Sequence, residues 1–392
     1  MKKFICKVCS NGPLPLMYSS SSKMSVTSLG DIVPRETLVY FCNRCGHLQT
    51  SQMEDAESYY DTDYDILIDS EEEDQLLFLK DGQEVFRFDH QSKSLLDLVN
   101  VPLGAKVLDF GCAKATTLKK MLLARPDIEP SVFDVSEMYR SFWDTFISRG
   151  CQATYVLPQE WQGEFDLVTS FFSLEHAEDA AGFAESVNSM LKDGGTFYCV
   201  VPDWTANIGD IVVIDHPNHF SIESLKALLS SSGFVNINVN DDLHPGALIV
   251  HARKGVPHSD YVPSQDTIDK LEVELSEALN FWKGLGDDVA SFEMTSQTGR
   301  VAIYGSGFYG VFVASLLKEF DSVECFIDKN VFRQNQTLMG KPIMAPLDIP
   351  QEIETVYVAL NPAVAKKVSE ELELMWEKNI IFYIPQSFIN IE

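Results

Sequence analysis

Lys106-Val107-Leu108-Asp109-Phe110-Gly111-Cys112-Ala113-Lys114-Ala115 runs from an apolar strand signal into a tight turn of small residues. Thr116-Thr117-Leu118-Lys119-Lys120-Met121-Leu122 continues at helical spacing. A strand feeding a helix through such a loop turns backbone N–H groups and a helix N-terminus toward a bound ligand. Ala113 and Ala115 stand at two places where these loops usually carry glycine, so the neighbouring segments must fix the meaning of the stretch.

Working outward, residues 92–255 alternate strand and helix signals. Val107-Leu108-Asp109 is the first strand, and Ser131-Val132-Phe133-Asp134 ends a second. Phe165-Asp166-Leu167-Val168-Thr169-Ser170-Phe171-Phe172 reads as a buried strand. Gly194-Gly195-Thr196-Phe197-Tyr198-Cys199-Val200-Val201 follows a helix that ends near Leu191-Lys192. This alternation predicts a parallel, doubly wound α/β sheet with a ligand crevice at the carboxyl ends of its strands. Asp134 lies 25 residues beyond Asp109, about where a carboxylate on the second strand meets a ribose diol.

The successive motifs Val-Leu-Asp-Phe-Gly-Cys-Ala, Val-Phe-Asp134, Phe-Asp-Leu-Val with Leu174-Glu175-His176-Ala177-Glu178-Asp179, and Leu191-Lys192-Asp193-Gly194-Gly195 resemble those of class I S-adenosylmethionine methyltransferases. The resemblance implies that Asp109, Gly111 and Ala113 form the loop under the methionine part of the cofactor. It also implies that Asp134 is the ribose-binding carboxylate. Alanine at 113 and 115 adds methyl groups near the cofactor while keeping the side chains small.

Composition sets the class of partner. The chain has 392 residues, enough for two or three domains, with 45% hydrophobic and 22% charged residues. Its net charge of −28 argues against nucleic acid or an anionic membrane, since phosphate-rich surfaces need a basic face. A small anionic ligand in a local pocket remains compatible. No apolar run reaches the roughly 18 residues of a spanning helix, and the apolar part of Met1-Lys2-Lys3-Phe4-Ile5-Cys6 is too short for a secretory signal. Half of the eight cysteines are paired as Cys-x-x-Cys and the others are scattered in apolar settings, which suggests a reducing, cytoplasmic setting.

Cys6-Lys7-Val8-Cys9 and Cys42-Asn43-Arg44-Cys45 are two knuckles with 32 residues between them. Two such turns make the closed tetrahedral S4 shell that suits structural Zn²⁺, and Gly46 fits the second knuckle turn. With short strand signals at Met24-Ser25-Val26 and Leu38-Val39-Tyr40-Phe41, this predicts a zinc ribbon-like lobe that folds only with metal. A redox dithiol pair is the alternative. The chain is then acidic and aromatic from Glu54 to about Asp89, with Glu71-Glu72-Glu73-Asp74 as a candidate helix start and Tyr64 as the tyrosine placed to line a cleft.

Asp215-His216-Pro217-Asn218-His219-Phe220-Ser221 precedes an amphipathic helix started by Ser221. Two histidines and a carboxylate this close supply a general base near neutral pH, with Asp215 orienting a ring. His219 packing over a helix cap is the purely structural alternative. His176, after the preceding strand, points toward the same crevice. Pro257-His258-Ser259-Asp260-Tyr261-Val262-Pro263 reads as a linker, followed by a helix from Thr267 to about Gly284 with Ile268, Leu271, Leu275 and Leu279 on one stripe. Gly305-Ser306-Gly307-Phe308-Tyr309-Gly310 then opens a second strand–loop–helix unit, with Asp328 ending its next strand. Formally this is a dinucleotide fingerprint, which would make the chain a nicotinamide-dependent oxidoreductase; a cofactor-free Rossmann-like lobe closing over substrate is preferred.

Taken together, the three parts resemble the three-domain sugar C-methyltransferases of deoxysugar pathways. That resemblance implies a zinc lobe and connector over residues 1–70, a methyltransferase domain over 71–255, and a linker helix with a Rossmann-like domain over 256–392. It also implies a nucleotide-linked keto sugar as substrate, zinc on Cys6, Cys9, Cys42 and Cys45, and catalytic roles for Tyr64, His176, Asp215 and His216, with His219 beside them. The family usually reads Tyr-His-Glu-His before the Phe-Ser of the next helix, whereas this chain has Val213-Ile214-Asp215-His216, and His219 stands where the family tends to carry tyrosine. Carbon becomes nucleophilic only when a proton beside a carbonyl is removed, so C-methylation needs a base and an oxyanion donor. His216, oriented by Asp215, is the expected base; His176, His219 or Tyr64 is the expected donor. Methylation of a sugar hydroxyl, and a degenerate methyltransferase serving as a binding or assembly module, are the alternatives.

Overall fold

The computed structural model describes residues 4–20, 23–51, 74–80, 82–256, 261–376 and 378–385. Tyr64 and the acidic connector from Glu54 to Glu73 lie outside the described residues, as does most of the expected helix start at Glu71–Asp74. The chain divides into two compact units: Met1–Leu16, Val39–Ile211 and Asp215–Glu272 form one, and Met17–Leu38, Val212–Ile214 and Val273–Glu392 the other.

The N-terminal strands are β1 (Leu16–Ser19), β2 (Ser25–Val26), β3 (Ile32–Val33), β4 (Leu38–Phe41) and β5 (Leu48–Thr50). A hairpin of β6 (Leu76–Lys80) and β7 (Gln83–Phe86) leads into helix α1 (Arg87–Leu98). The alternation then runs β8 (Lys106–Phe110), α2 (Thr116–Ala124), β9 (Glu129–Asp134), α3 (Arg140–Trp143), β10 (Gln152–Thr154), β11 (Phe165–Phe171), α4 (Ala180–Met190), β12 (Leu191–Pro202), α5 (Ile222–Ser231), β13 (Phe234–His244) and β14 (Ala247–Lys254).

Seven of these strands form the sheet of the first unit in the order β10-β9-β8-β11-β12-β14-β13. The first five neighbours pair in parallel, as expected, while β14 runs antiparallel to both β12 and β13. The reversal follows from the tight turn His244-Pro245-Gly246, where Gly246 takes φ +69. This is the class I methyltransferase sheet. Strand order changes direction between β8 and β11, which opens the crevice at the carboxyl ends of the strands. One side of the sheet packs Val107, Leu118, Met121, Val132, Trp143, Leu167 and Ile249 into a continuous core. Each fully buried aliphatic chain there is worth about 1.5–3 kcal/mol relative to exposure.

In the second unit, β15 (Arg300–Tyr304), α7 (Phe308–Leu316), β16 (Val323–Ile327), β17 (Thr337–Leu338), β18 (Lys341–Met344), β19 (Ile353–Val358), α8 (Pro362–Trp376) and β20 (Ile381–Tyr383) build a six-stranded sheet in the order β17-β18-β16-β15-β19-β20. The helix before it, α6 (Gln265–Thr295), continues past the expected end near Gly284. The buried stripe persists through Trp282, Leu285 and Val289, which outweighs the helix cost of Gly284 and Gly286. At the glycine loop, the backbone N–H and hydroxyl of Ser306 donate to Asp328 Oδ2 at 2.9 and 2.6 Å, and Arg333 Nη1 donates to Ser306 O at 2.9 Å.

Candidate active site

The loop after β8 owes its shape to three left-handed residues, Gly111 (φ +71), Ala113 (φ +44) and Ala115 (φ +55). Gly111 admits no side chain, since a Cβ would fall 2.0 Å from Ser173 Oγ. The two alanines hold a conformation that costs an L-residue about 1–2 kcal/mol each. Three anchors hold the loop there. Gly111 N–H donates to Phe133 O at 2.8 Å, Ala113 N–H to Asp134 Oδ2 at 2.7 Å, and Trp143 Nε1–H to Ala113 O at 2.6 Å. Asp134 Oδ1 also accepts from Ser136 N–H at 3.1 Å. Helix α2 begins at this loop with no side-chain cap on Ala115, so its first-turn amides are left available as donors. Asp109 sits deeper, where its carboxylate accepts from Thr169 Oγ1 at 2.7 Å. Burial pushes the carboxyl of Asp109 up to about 7 and that of Asp134 up to about 6.

The second cluster gathers where β11 ends and where the chain approaches α5. His216 Nδ1 donates to Asp210 Oδ1 at 2.6 Å, and His219 Nδ1 donates to Asp210 Oδ2 at 2.8 Å. One carboxylate thus holds two rings. The expected pairing of His216 with Asp215 is corrected accordingly: the hydrogen-bonded carboxylate is Asp210, six residues upstream. Asp215 instead gives its backbone carbonyl to His176 Nδ1 at 3.0 Å, with its carboxylate 3.8 Å from the same nitrogen. His176 and His216 meet edge to face, with ring centroids 4.6 Å apart. Asp210, Asp215, Glu175 and His219 are buried, and His216 is 7% exposed. Glu175 Oε2 and His219 Nε2 are buried with no hydrogen-bond partner among the described residues.

The two facing histidines differ in charge. Burial alone would lower the pKa of His216, but the charge and hydrogen bond of Asp210, with Asp215 and Glu175 beyond, outweigh it and raise it to about 9. His176 falls to about 4, through burial and the positive charge of His216. Burial raises the carboxyl of Asp210, yet His219 and His216 together hold it well below the usual carboxylate range. Glu175 is pushed up to about 8, chiefly by burial. At neutral pH the pair is therefore a neutral His176 beside an imidazolium His216, which reverses the protonation a His216 base requires. His219 is both a partner of Asp210 and a residue packed before the helix cap. Ser221 caps α5 as expected, in a reciprocal box with Ser224.

Ligand atoms of Glu175, His176 and His216, and those of Asp210, His216 and His219, each lie within 4.8 Å of one another. In the second group the approach is explained by the 2.6 and 2.8 Å hydrogen bonds. The cysteines are a different donor set. Cys6 Sγ lies 3.6 Å from Cys45 Sγ, and Cys9 Sγ 3.5 Å from Cys42 Sγ. Four thiolates about 2.3 Å from one Zn²⁺ sit about 3.8 Å apart, so this cluster fits a closed tetrahedral metal shell.

Residues 86–239 match the family model described as a methyltransferase domain. The chain carries a methyltransferase domain across these residues. Among solved structures, this chain is similar to a chain of the complex between the Haloferax volcanii Trm112 methyltransferase activator and a methyltransferase (18% identity, 44% of this chain and 92% of that one, TM-score 0.37). It is similar to an S-adenosylmethionine-dependent methyltransferase from Mesorhizobium loti (19% identity, 43% and 100%, TM-score 0.34). It is also similar to human N-acetylserotonin methyltransferase in complex with its methyl donor (18% identity, 42% and 52%, TM-score 0.36), about half of whose length it spans. No curated protein sequence matches the chain. Among the described residues, no helix is long and apolar enough to cross a membrane.

The sequence offered no pointer to Asp210, which lies in an apolar stretch with nothing to mark it. Glu175 was visible only as part of a motif. The hydrogen-bonding roles of His47, Thr50 and Asn218, described below, depend on contacts remote in sequence.

Proposed function

We propose that this methyltransferase C-methylates a nucleotide-linked keto-deoxysugar through an enolate, in deoxysugar or surface-polysaccharide biosynthesis. The observation that carries this is the His176–His216 pair: two rings facing edge to face, one of them hydrogen-bonded to a buried carboxylate. S-adenosylmethionine supplies the electrophilic methyl. The loop from Asp109 to Ala115 and the carboxylate of Asp134 hold the donor, with the uncapped start of α2 supplying amide donors.

In this scheme neutral His176 takes the proton beside the carbonyl, and imidazolium His216 donates to the oxygen that becomes the enolate. The two steps help each other. Charge on the enolate offsets the charge of His216, which is one of the causes of the depressed pKa of His176, so its basicity rises as the proton moves. Asp210 keeps His216 charged, and Asp215 fixes the tautomer of His176 through its backbone carbonyl. The resemblance implies a catalytic role for Tyr64, which lies outside the described residues. Cys6, Cys9, Cys42 and Cys45 hold a structural Zn²⁺.

The test is solvent exchange. The enzyme is incubated in D₂O with a nucleoside-diphosphate 4-keto-6-deoxysugar and the demethylated cofactor. Deuterium entering beside the carbonyl is expected. Methyl transfer to plain hydroxyl sugars with no such exchange would replace the enolate route by O-methylation.

A further inference from the structure

The segment from His216 to Ser221 has no helix or sheet of its own; it lies between the short turn Asp210–Val212 and the start of α5. Its peptide groups are buried, and buried N–H and C=O groups need partners. Most of those partners come from β5, which starts three residues after Cys45, and from Gly46 and His47 just before it. His219 N–H donates to Leu48 O at 2.9 Å, and Leu48 N–H donates back to His219 O at 3.3 Å. Thr50 Oγ1 donates to His216 O at 2.7 Å, and Ser221 Oγ donates to Gly46 O at 3.3 Å. His47 Nε2 donates to Asn218 Oδ1 at 3.3 Å. Asn218 Nδ2 donates to Ala177 O at 2.6 Å, and its backbone N–H donates to Glu175 O at 3.2 Å. Asn218 thereby ties the histidine segment to the Glu175–His176 turn. His47, Leu48, Thr50, Asn218 and His219 are all no more than 1% exposed.

We propose that β5 is the template on which the histidine segment is laid, so that the four-cysteine cluster governs the placement of His216 and His219, with His47, Thr50 and Asn218 as positioning residues. This rests on the assignment of His176 and His216 as the acid–base pair. Asp210 holds the two rings, but the height and tilt of each ring are set by its backbone. That backbone is in turn registered on β5. The strand is joined to the second knuckle by Gly46 and His47 alone: Gly46 N–H donates to Cys42 O and Cys42 N–H to His47 O, both at 2.9 Å. So short a lobe takes its order from its thiolate cluster, since ligand binding and folding are one equilibrium in small metal lobes. Loss of the cluster then loosens the histidines without touching the loop at Gly111.

The experiment uses the full chain, purified with its metal and then treated with 1,10-phenanthroline. Amide exchange is followed at Leu48 and His219 and, as an internal control, at Val168 in β11. Exchange at His219 is expected to accelerate about 100-fold while Val168 is unchanged and affinity for S-adenosylmethionine by calorimetry moves less than about twofold. An unchanged His219 amide overturns the proposal, and so does equal acceleration at Val168, which would mean global unfolding. Thr50→Val is expected to lower kcat about tenfold on the keto sugar without changing KM for the methyl donor, with Thr50→Ser restoring it. Full activity in Thr50→Val also overturns the template. If the wild-type enzyme catalyses no exchange on the keto sugar, the assignment of the acid–base pair fails, while the amide measurement still judges the template.

Discussion

Replacing Asp210 with Asn removes the charge that sets the protonation of His216 while preserving shape and one hydrogen-bond acceptor. Asp210 sits 2.6 Å from His216 Nδ1 and raises its pKa from 6.5 to about 9 against the opposing effect of burial. Without that charge, burial opposes only the weaker pull of Asp215 and Glu175, and the ring falls back toward 6.5. A fall from about 9 to 6.5 corresponds to about 3 kcal/mol of differential interaction. At pH 7.5 it takes the imidazolium fraction from about 97% to about 9%, so a step needing His216 as donor slows about tenfold. The histidine pKa is raised on folding, so its contribution to stability is full below about 6.5 and lost as pH rises through about 9. Asp210 is depressed, so its contribution is present above the ordinary carboxylate range and lost as pH falls through its lowered value. Wild-type stability should therefore decline between pH 7 and 9, and Asp210→Asn should flatten that decline. The assay is titration of the His216 ring by NMR in both proteins, alongside a pH–rate profile in which the variant recovers toward pH 5.5. A His216 that still titrates near 9 in Asp210→Asn, or a rate loss equal at every pH, refutes this account.

Other substitutions probe the cofactor loop. Gly111→Ala places a methyl 2.0 Å from Ser173 Oγ at φ +71, so thermal melting should show a loss of about 2–4 kcal/mol. Ala113→Gly relieves a left-handed alanine, and after the entropy cost of glycine it should raise stability by about 0.5 kcal/mol in the same assay. Asp134→Asn keeps the acceptor for Ala113 N–H but loses the charge offered to a ribose diol; calorimetry should show about tenfold weaker binding of S-adenosylmethionine.

The central sheet was legible because its strands are short apolar runs at regular spacing, and Val107–Asp109, Phe133–Asp134 and Phe165–Phe171 fall where they were expected. The antiparallel closing strand was harder to see. Its direction depends on the turn at Pro245-Gly246, and Ala247–Lys254 is as apolar as a parallel neighbour would be. At the site, His176, His216 and His219 could be singled out by residue type. Their partner could not: Asp210 and Asp215 look alike in sequence, and only the fold decides which carboxylate meets which ring. The charge states were beyond reach for the same reason, since they follow from burial and from a contact between segments 40 residues apart.

Two carboxylates in this chain, one in each unit, do the same mechanical job. Asp134 accepts from the amide of Ala113, and Asp328 from the amide and hydroxyl of Ser306; each closes the small-residue loop of its own unit like a latch. The acidic residue some 20 positions after a glycine-type loop is therefore under two demands, one from within the chain and one from any ligand. A latch is wanted whether or not the loop ever meets a nucleotide. Its presence at Asp328 certifies a well-made βαβ corner, and a chain could lose its ligand while keeping the whole fingerprint.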